Sequence, residues 1–176
     1  RKVELTGEAY FEVEKLNRNG RRVPFIVKTD QQLLEVLGTE FNINSYSGVI
    51  KTTLVQGSVK LTYDNNKIDH HVLKPNEQAV YAKQSAKLEI AEVDPYYTVA
   101  WKNGSFAFDN ASLAEVMESL ARWYDFSIVF QDDSLKMKRF SGAVSRFEQI
   151  EKVLDIIEIT GSVKFKIVGR RVLVLK

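Results

Sequence analysis

Cysteine is absent from the 176 residues of the chain, which excludes a disulfide framework, a thiol nucleophile and a thiolate metal site. Histidine is nearly absent. His70 and His71 are the only two and they are adjacent, so on a strand they point to opposite faces and cannot both ligate one metal. Asp69 beside them does not repair that geometry, and the stretch reads as a polar loop. Long apolar runs are missing too. Nothing approaches the roughly 18–20 residues that cross a bilayer, and no basic-then-apolar start reads as a signal peptide. Charge of one sign is also lacking: 25 Lys and Arg against 23 Asp and Glu leave +2. Split at Gly104, the halves hold 14 basic against 13 acidic and 11 against 10, so no asymmetry hides in the total. A strong nucleic-acid binder would show a clear basic excess.

Motifs of catalysis are missing as well. There is no GxGxxG, no GxxxxGK[ST] and no GxSxG elbow. Asp64-Asn65-Asn66 and Asp132-Asp133 lack the alternating acids and closing Glu of a calcium loop and read as turns. Lys136-Met137-Lys138-Arg139 and Gly169-Arg170-Arg171 form a modest basic feature. No GXXG loop accompanies it, so it reads as a solvated face and not a nucleic-acid surface. The sequence therefore reads as a non-enzyme with no cofactor and no metal.

What is present is a folded composition: 44% hydrophobic and 27% charged residues, clear of the disordered class. From Val3 to Val13 the odd positions Val3, Leu5, Gly7, Ala9, Phe11 and Val13 alternate with polar residues and Tyr10. Side chains on a strand alternate between faces, so this is one buried and one wet face, with a bend or bulge at Gly7. Arg1 opens directly onto this pattern, which reads as a segment cut from a longer polypeptide. Short runs follow at Phe25–Thr29, Glu40–Asn44, Ser58–Tyr63 and Gln78–Ala82, separated by turn residues at 17–20, Ser47-Gly48, 64–66 and Pro75-Asn76. Gln31–Leu37 reads as a helical turn or a strand entry. Gly38, Gly57 and Asn76 are spaced 19 residues apart, each before an alternating run. Two architectures fit residues 1–93: a β-solenoid or rolled sheet, in which each coil gives two strands, or an ordinary β-sandwich.

After Val93 the pattern changes. Asp94-Pro95-Tyr96-Tyr97 reads as a turn, and 94–104 as a linker, with Trp101 and Gly104 at the domain junction. Ser112 and Glu115 form a capping box, followed by an apolar stripe of Leu113, Val116, Met117, Leu120 and Tyr124. A strand carries Phe126, Ile128 and Phe130 on one face. Phe140, Gly142 and Val144 alternate again, and Ser145 with Glu148 repeats the box 33 residues after the first. Phe147, Ile150, Val153, Leu154 and Ile157 make a second stripe, stopping near Gly161. Strands at Val163–Ile167 and Val172–Leu175 close the chain through Gly169-Arg170. The expectation for 105–176 is an α+β domain of two βαβ-like repeats with the helices on one face of a small sheet. One ring of Trp123-Tyr124 is expected in the core.

Several segments resemble the periplasmic portion of FecR-family anti-sigma-factor regulators: RKVELTGEAYFEV, VKTDQQLLEVLGTEFNI, TTLVQGSVKL and LKPNEQAVY. WKNGSFAFDNASLAEVMESLARWYDFSIVF resembles the C-terminal domain of Bacteroidetes-type members, itself similar to the short N-terminal signalling domain of secretins and TonB-dependent receptors. Where the family has Pro-Gly-Gln, this chain has Pro75-Asn76-Glu77-Gln78. The resemblance implies the periplasmic part of a single-pass inner-membrane protein, tethered by an upstream helix outside these residues. It implies a sigma factor held through a cytoplasmic region, also outside them, and the signalling domain of a TonB-dependent outer-membrane transporter as partner. Strand addition at an open sheet edge is the expected docking mode. The edges expected are 126–130 (Phe126, Ile128, Phe130) and 172–175 (Val172, Val174). A carbohydrate- or small-ligand-binding β module, using Tyr10, Tyr46, Tyr63 and Tyr81, is the alternative.

Overall fold

The computed structural model describes residues 1–46, 48–63, 70–159 and 163–176. Ser47, the turn at 64–66, Asp69 and the helix stop at Gly161 lie outside the described residues. The chain divides into two compact units, Arg1–Val99 and Ala100–Lys176.

The alternation of the first unit builds β1 (Lys2–Glu4), β2 (Glu8–Val13), a small hairpin of β3 (Asn17–Arg18) and β4 (Arg21–Arg22), β5 (Phe25–Lys28) and β6 (Gln32–Val36). Then come β7 (Thr39–Asn44), β8 (Val49–Gln56), β9 (Val59–Tyr63), β10 (His71–Leu73), β11 (Glu77–Ala82) and β12 (Lys87–Glu92). They form two five-stranded sheets, ordered β1-β5-β6-β9-β10 and β12-β11-β8-β7-β2. One apolar core takes Val27, Leu34 and Leu61 from the first sheet and Phe41, Ile43, Ile50 and Leu54 from the second. Ring pairs join the layers: Phe11 lies 5.8 Å from Phe25, and Tyr63 stacks on Tyr81 at 4.3 Å. This is a sandwich. The strands that follow Gly38, Gly57 and Asn76 are β7, β9 and β11; β7 and β11 share one sheet while β9 lies in the other, and all three pair antiparallel with their neighbours, so the equal spacing does not mark solenoid coils.

Gly7 shows why the first run is not one strand. β1 pairs in parallel with β5 in one sheet, whereas β2 pairs with β7 in the other. The chain crosses between layers at Gly7, whose φ is +100° and whose missing Cβ would sit 3.0 Å from the Tyr46 ring. Asn76 takes the left-handed conformation at φ +69° in the same role. Gly57 is the tightest of these positions. Its φ is +98°, and a Cβ would lie 2.9 Å from the Gly38 carbonyl oxygen. Gly57→Ala is expected to cost ~1 kcal/mol or more, because both backbone conformation and space oppose a methyl group. A urea melt showing no shift would disprove this.

The stretch Gln31–Leu37 contains β6, with Gln32, Leu34 and Val36 turned inward. The stretch 94–97, expected as a turn within the 94–104 linker, instead opens helix α1 (Pro95–Val99), followed by a 3-10 turn at Ala100–Asn103. Asp94 Oδ1 accepts from the Tyr96 N–H at 2.9 Å, which starts the helix.

The second unit contains β13 (Ser105–Ser112), α2 (Leu113–Tyr124), β14 (Ser127–Phe130), β15 (Arg139–Ser145), α3 (Ile150–Ile159), β16 (Lys164–Val168) and β17 (Arg171–Leu175). The repeats interleave. Their leading strands β13 and β15 pair antiparallel, while the following strands form a separate sheet ordered β14-β17-β16. Leu113, Val116, Met117 and Leu120 of α2 and Val153 and Leu154 of α3 cover a shared core with Val172 and Val174. The first capping box forms: the Glu115 N–H donates to Ser112 Oγ at 3.3 Å, and the Ser112 N–H donates to Glu115 Oε2 at 3.1 Å. The second does not. The Arg146 N–H donates to the Gly104 carbonyl at 2.9 Å, which carries the β13–β15 pairing past Ser145 and delays the helix to Ile150. Ser145 Oγ instead accepts from the Phe147 N–H at 3.2 Å.

Candidate functional site

Two features of the second unit combine exposure with chemistry. The first is the edge of the three-stranded sheet. β17 lies in its middle, parallel to β14 and antiparallel to β16. The expectation that 172–175 is an edge is therefore wrong: Val172 and Val174 are buried against both helices, and the β16–β17 hairpin supplies the second neighbour. The strand at 126–130 is an edge. Phe126, Ile128 and Phe130 turn their half-buried side chains inward, and Val129 faces out at 44% exposure. The Ser127 and Gln131 N–H groups donate to the Arg170 and Val174 carbonyls, both at 2.9 Å. By the parallel alternation, the N–H and C=O groups of Ile128 and Phe130 face the open side.

The two edges differ chemically. β16 reads Lys-Phe-Lys-Ile-Val, and lysines on an edge discourage pairing with another chain. β14 reads Ser-Ile-Val-Phe, with no lysine, proline or bulge to blunt it. The basic residues nearby are partly neutralised: Arg170 pairs with Asp125, Lys136 with Asp133 at 2.6 Å and Lys176 with Asp132 at 2.5 Å. The hydrogen bond from Lys176, together with the Ser134 N–H, holds the Asp132 carboxyl below the usual carboxylate range. Asp132-Asp133 thus caps a 3-10 turn, and among the described residues no cluster of three or more His, Asp and Glu could hold a metal.

The second feature is built around Arg146. Its guanidinium lies 3.8 Å from the Trp123 ring centroid, 5.5 Å from that of Phe106 and 5.9 Å from that of Trp101. Nη1 donates to the Trp101 carbonyl at 2.6 Å. In return, Trp123 Nε1 donates to the Arg146 carbonyl at 2.8 Å, and the Tyr124 hydroxyl donates to the Glu148 carbonyl at 2.8 Å. Phe147 lies over Gly104, where a Cβ would approach the ring to 2.6 Å. Gly104 has φ +78° and carries the chain from the 3-10 turn into β13. Trp101 and Gly104, read from the sequence as junction markers, are thus walls of this cluster. Arg146 and Phe147 gave no sequence signal of such a role. Phe147 fitted the apolar stripe of α3, yet it is 81% exposed because the helix starts after it.

The sugar-binding alternative loses two of its four rings. Tyr63 and Tyr81 stack inside the sandwich and present nothing to solvent. Tyr10 is half-buried and donates to Glu40 Oε2 at 2.9 Å, leaving Tyr46 exposed against Gly7.

Comparison with known proteins places this architecture. The FecR protein family model matches residues 1–60, and the FecR C-terminal model matches residues 105–174. The chain belongs to the FecR family. Two crystal structures of a candidate anti-sigma factor from Parabacteroides distasonis, at 1.65 and 2.50 Å resolution, are similar to this FecR-family chain over its whole length. Each is 26% identical, with 80% of its own chain covered, and the TM-scores are 0.85 and 0.83. No curated protein matches. The two FecR matches fall on the sandwich and on the α+β unit respectively, so the open β14 edge and the Arg146 cluster both lie within the C-terminal family region. Among the described residues no helix is long and apolar enough to cross a membrane.

Proposed function

We propose that this chain is the periplasmic sensor portion of a transmembrane anti-sigma regulator. It receives its signal when the signalling domain of a TonB-dependent outer-membrane transporter adds a strand to β14. FecR membership and the likeness to a candidate anti-sigma factor support the regulatory part of the reading. The observation that carries the docking part is the contrast between edges: β14 is apolar and unblunted, while β16 on the other side carries Lys164 and Lys166. Main-chain hydrogen bonds from Ile128 and Phe130 would supply affinity, and the outward Val129 would contribute to register and specificity. In this reading the sandwich of 1–93 is a stiff spacer toward a membrane segment, and the sigma factor is held by a cytoplasmic region, both outside these residues. The molecule acts by binding and not by catalysis.

Calorimetric titration of the chain with the signalling domain of its cognate transporter tests this. Micromolar or tighter binding is expected. Val129→Lys should weaken it about tenfold or more by giving β14 the same protection that β16 has. Because Val129 is 44% exposed, the melting temperature should barely move. No binding at micromolar concentrations, or equal binding by V129K, would sink the proposal.

A further inference from the structure

The Arg146 cluster holds a charge that no carboxylate among the described residues neutralises. Arg146 is largely withdrawn from solvent, yet no carboxylate pairs with it among the described residues. Its Nε is buried without a hydrogen-bond partner. Nη1 is committed to the Trp101 carbonyl, a neutral acceptor. Nη2 makes no hydrogen bond among the described residues and is not a buried atom. Charged groups removed from water are ordinarily paired, because desolvating an ion is costly. Here aromatic faces take part of that role, with Trp123 stacked at 3.8 Å. They fix the plane of the guanidinium and leave one N–H pair unanswered.

The geometry points to a carboxylate-docking site: Arg146 Nη2 receives an Asp or Glu side chain of a partner polypeptide, while Phe147 and Trp123 receive the apolar residues beside it. Charge complementarity selects the acid. The rings select a polypeptide over a small anion, since Phe147 is 81% and Trp123 46% exposed, and a small anion would leave that area uncovered. Trp and Arg held in place by packing are also the residue types that dominate the energetics of protein interfaces. The site is separate from strand addition, since neither β14 nor its backbone groups take part.

The two tryptophans of the chain, Trp101 and Trp123, both border Arg146, so intrinsic tryptophan emission reports this site without a label. The probe is an acetylated, amidated pentapeptide, Gly-Phe-Asp-Phe-Gly, titrated into the whole chain. A saturable emission change is expected. The Asn counterpart should bind about tenfold or more weakly, since its neutral amide cannot form an ion pair with the guanidinium. Salt should weaken the Asp peptide and not the Asn peptide. Arg146→Met should abolish the preference for Asp over Asn. Arg146→Lys, which keeps the charge, is the second variant in case the first unfolds; it should keep a preference for Asp but bind the Asp peptide more weakly, because an ammonium does not stack on Trp123 as a planar guanidinium does. Phe147→Ala should weaken both peptides alike. Equal binding of the Asp and Asn peptides, undiminished affinity of Arg146→Lys for the Asp peptide, or the same emission change from sodium acetate alone would overturn the proposal. Val129→Lys should leave peptide binding unchanged, so failure of this site and failure of strand addition can be told apart.

Discussion

Phe41→Ala should lower the stability of the sandwich by about 3–5 kcal/mol, the range for removing a buried aromatic ring from a packed core. Phe41 is 0% exposed and stacks on Phe11 at 5.0 Å, and Phe11 in turn meets Phe25 of the opposite sheet. Deleting the ring opens a cavity where β2 and β7 pair, at a point where both sheets contribute atoms. The surrounding strands are hydrogen-bonded on both sides of β7 and cannot collapse to fill it. Phe147→Ala provides the contrast: the same side chain, largely exposed, should change stability by less than about 0.5 kcal/mol. Urea denaturation followed by far-ultraviolet circular dichroism measures both. A loss below about 1 kcal/mol for Phe41→Ala would contradict the placement of the core.

Alkaline pH should destabilise the same unit through Tyr63. Burial pushes its phenol up to about 12 from the ordinary 10.0, against a hydrogen bond from Gln32 that favours the phenolate. Tyr63 is 3% exposed, and its oxygen accepts from Gln32 Nε2 at 3.2 Å while Thr52 Oγ1 donates to Gln32 Oε1 at 3.1 Å. The sign follows from which state releases its proton first. Below pH 10 both states are protonated and the shift has no effect. Between pH 10 and about 12 the unfolded chain ionises while the folded one does not, so stability falls as pH rises. A shift of this size corresponds to about 2–3 kcal/mol once pH passes the folded value. Tyr63→Phe should cost about 1 kcal/mol near pH 8, through the orphaned Gln32 amide. It should lose less than the wild type between pH 9 and about 12. Parallel stability–pH curves for the two proteins in that window would refute the assignment.

Gln32, Thr52 and Tyr63 show where the sequence was silent. Each sits at an inward position of an alternating strand, but in sequence they are polar residues 20 and 11 positions apart, on three different strands. Nothing in a period of two says that a glutamine will bridge a threonine and a tyrosine inside a sandwich. The same limit explains the solenoid alternative. Gly38, Gly57 and Asn76 correctly marked the starts of strands, yet even spacing along the chain does not reveal which strands become neighbours. The FecR resemblance, by contrast, rested on local segments in order, and the two family matches fall on most of them, though not on LKPNEQAVY.

The two sheet edges and the second capping box make the same point for the candidate sites. Residues 126–130 and 172–175 look alike in sequence, apolar and alternating, but one is an edge and the other a centre because β16 folds back on β17. Ser145 and Glu148 have the spacing of a cap, but the ladder from Gly104 keeps Arg146 extended and sends Phe147 to the surface.

The amino-acid order by itself determined which stretches alternate, where Ser112 starts a helix, and that the chain has no thiol and no phosphate loop and only two adjacent histidines. Those properties depend on neighbours within a turn or two. Which strand lies at an edge, and which arginine comes to lie between two tryptophans without a counter-charge among the described residues, were decided only in three dimensions. The first depends on β14 reaching β17 across the chain, as Ser127 pairs with Arg171, and the second on residues brought together from 23 and 45 positions away. The hydrogen bonds and desolvation that select them act through space.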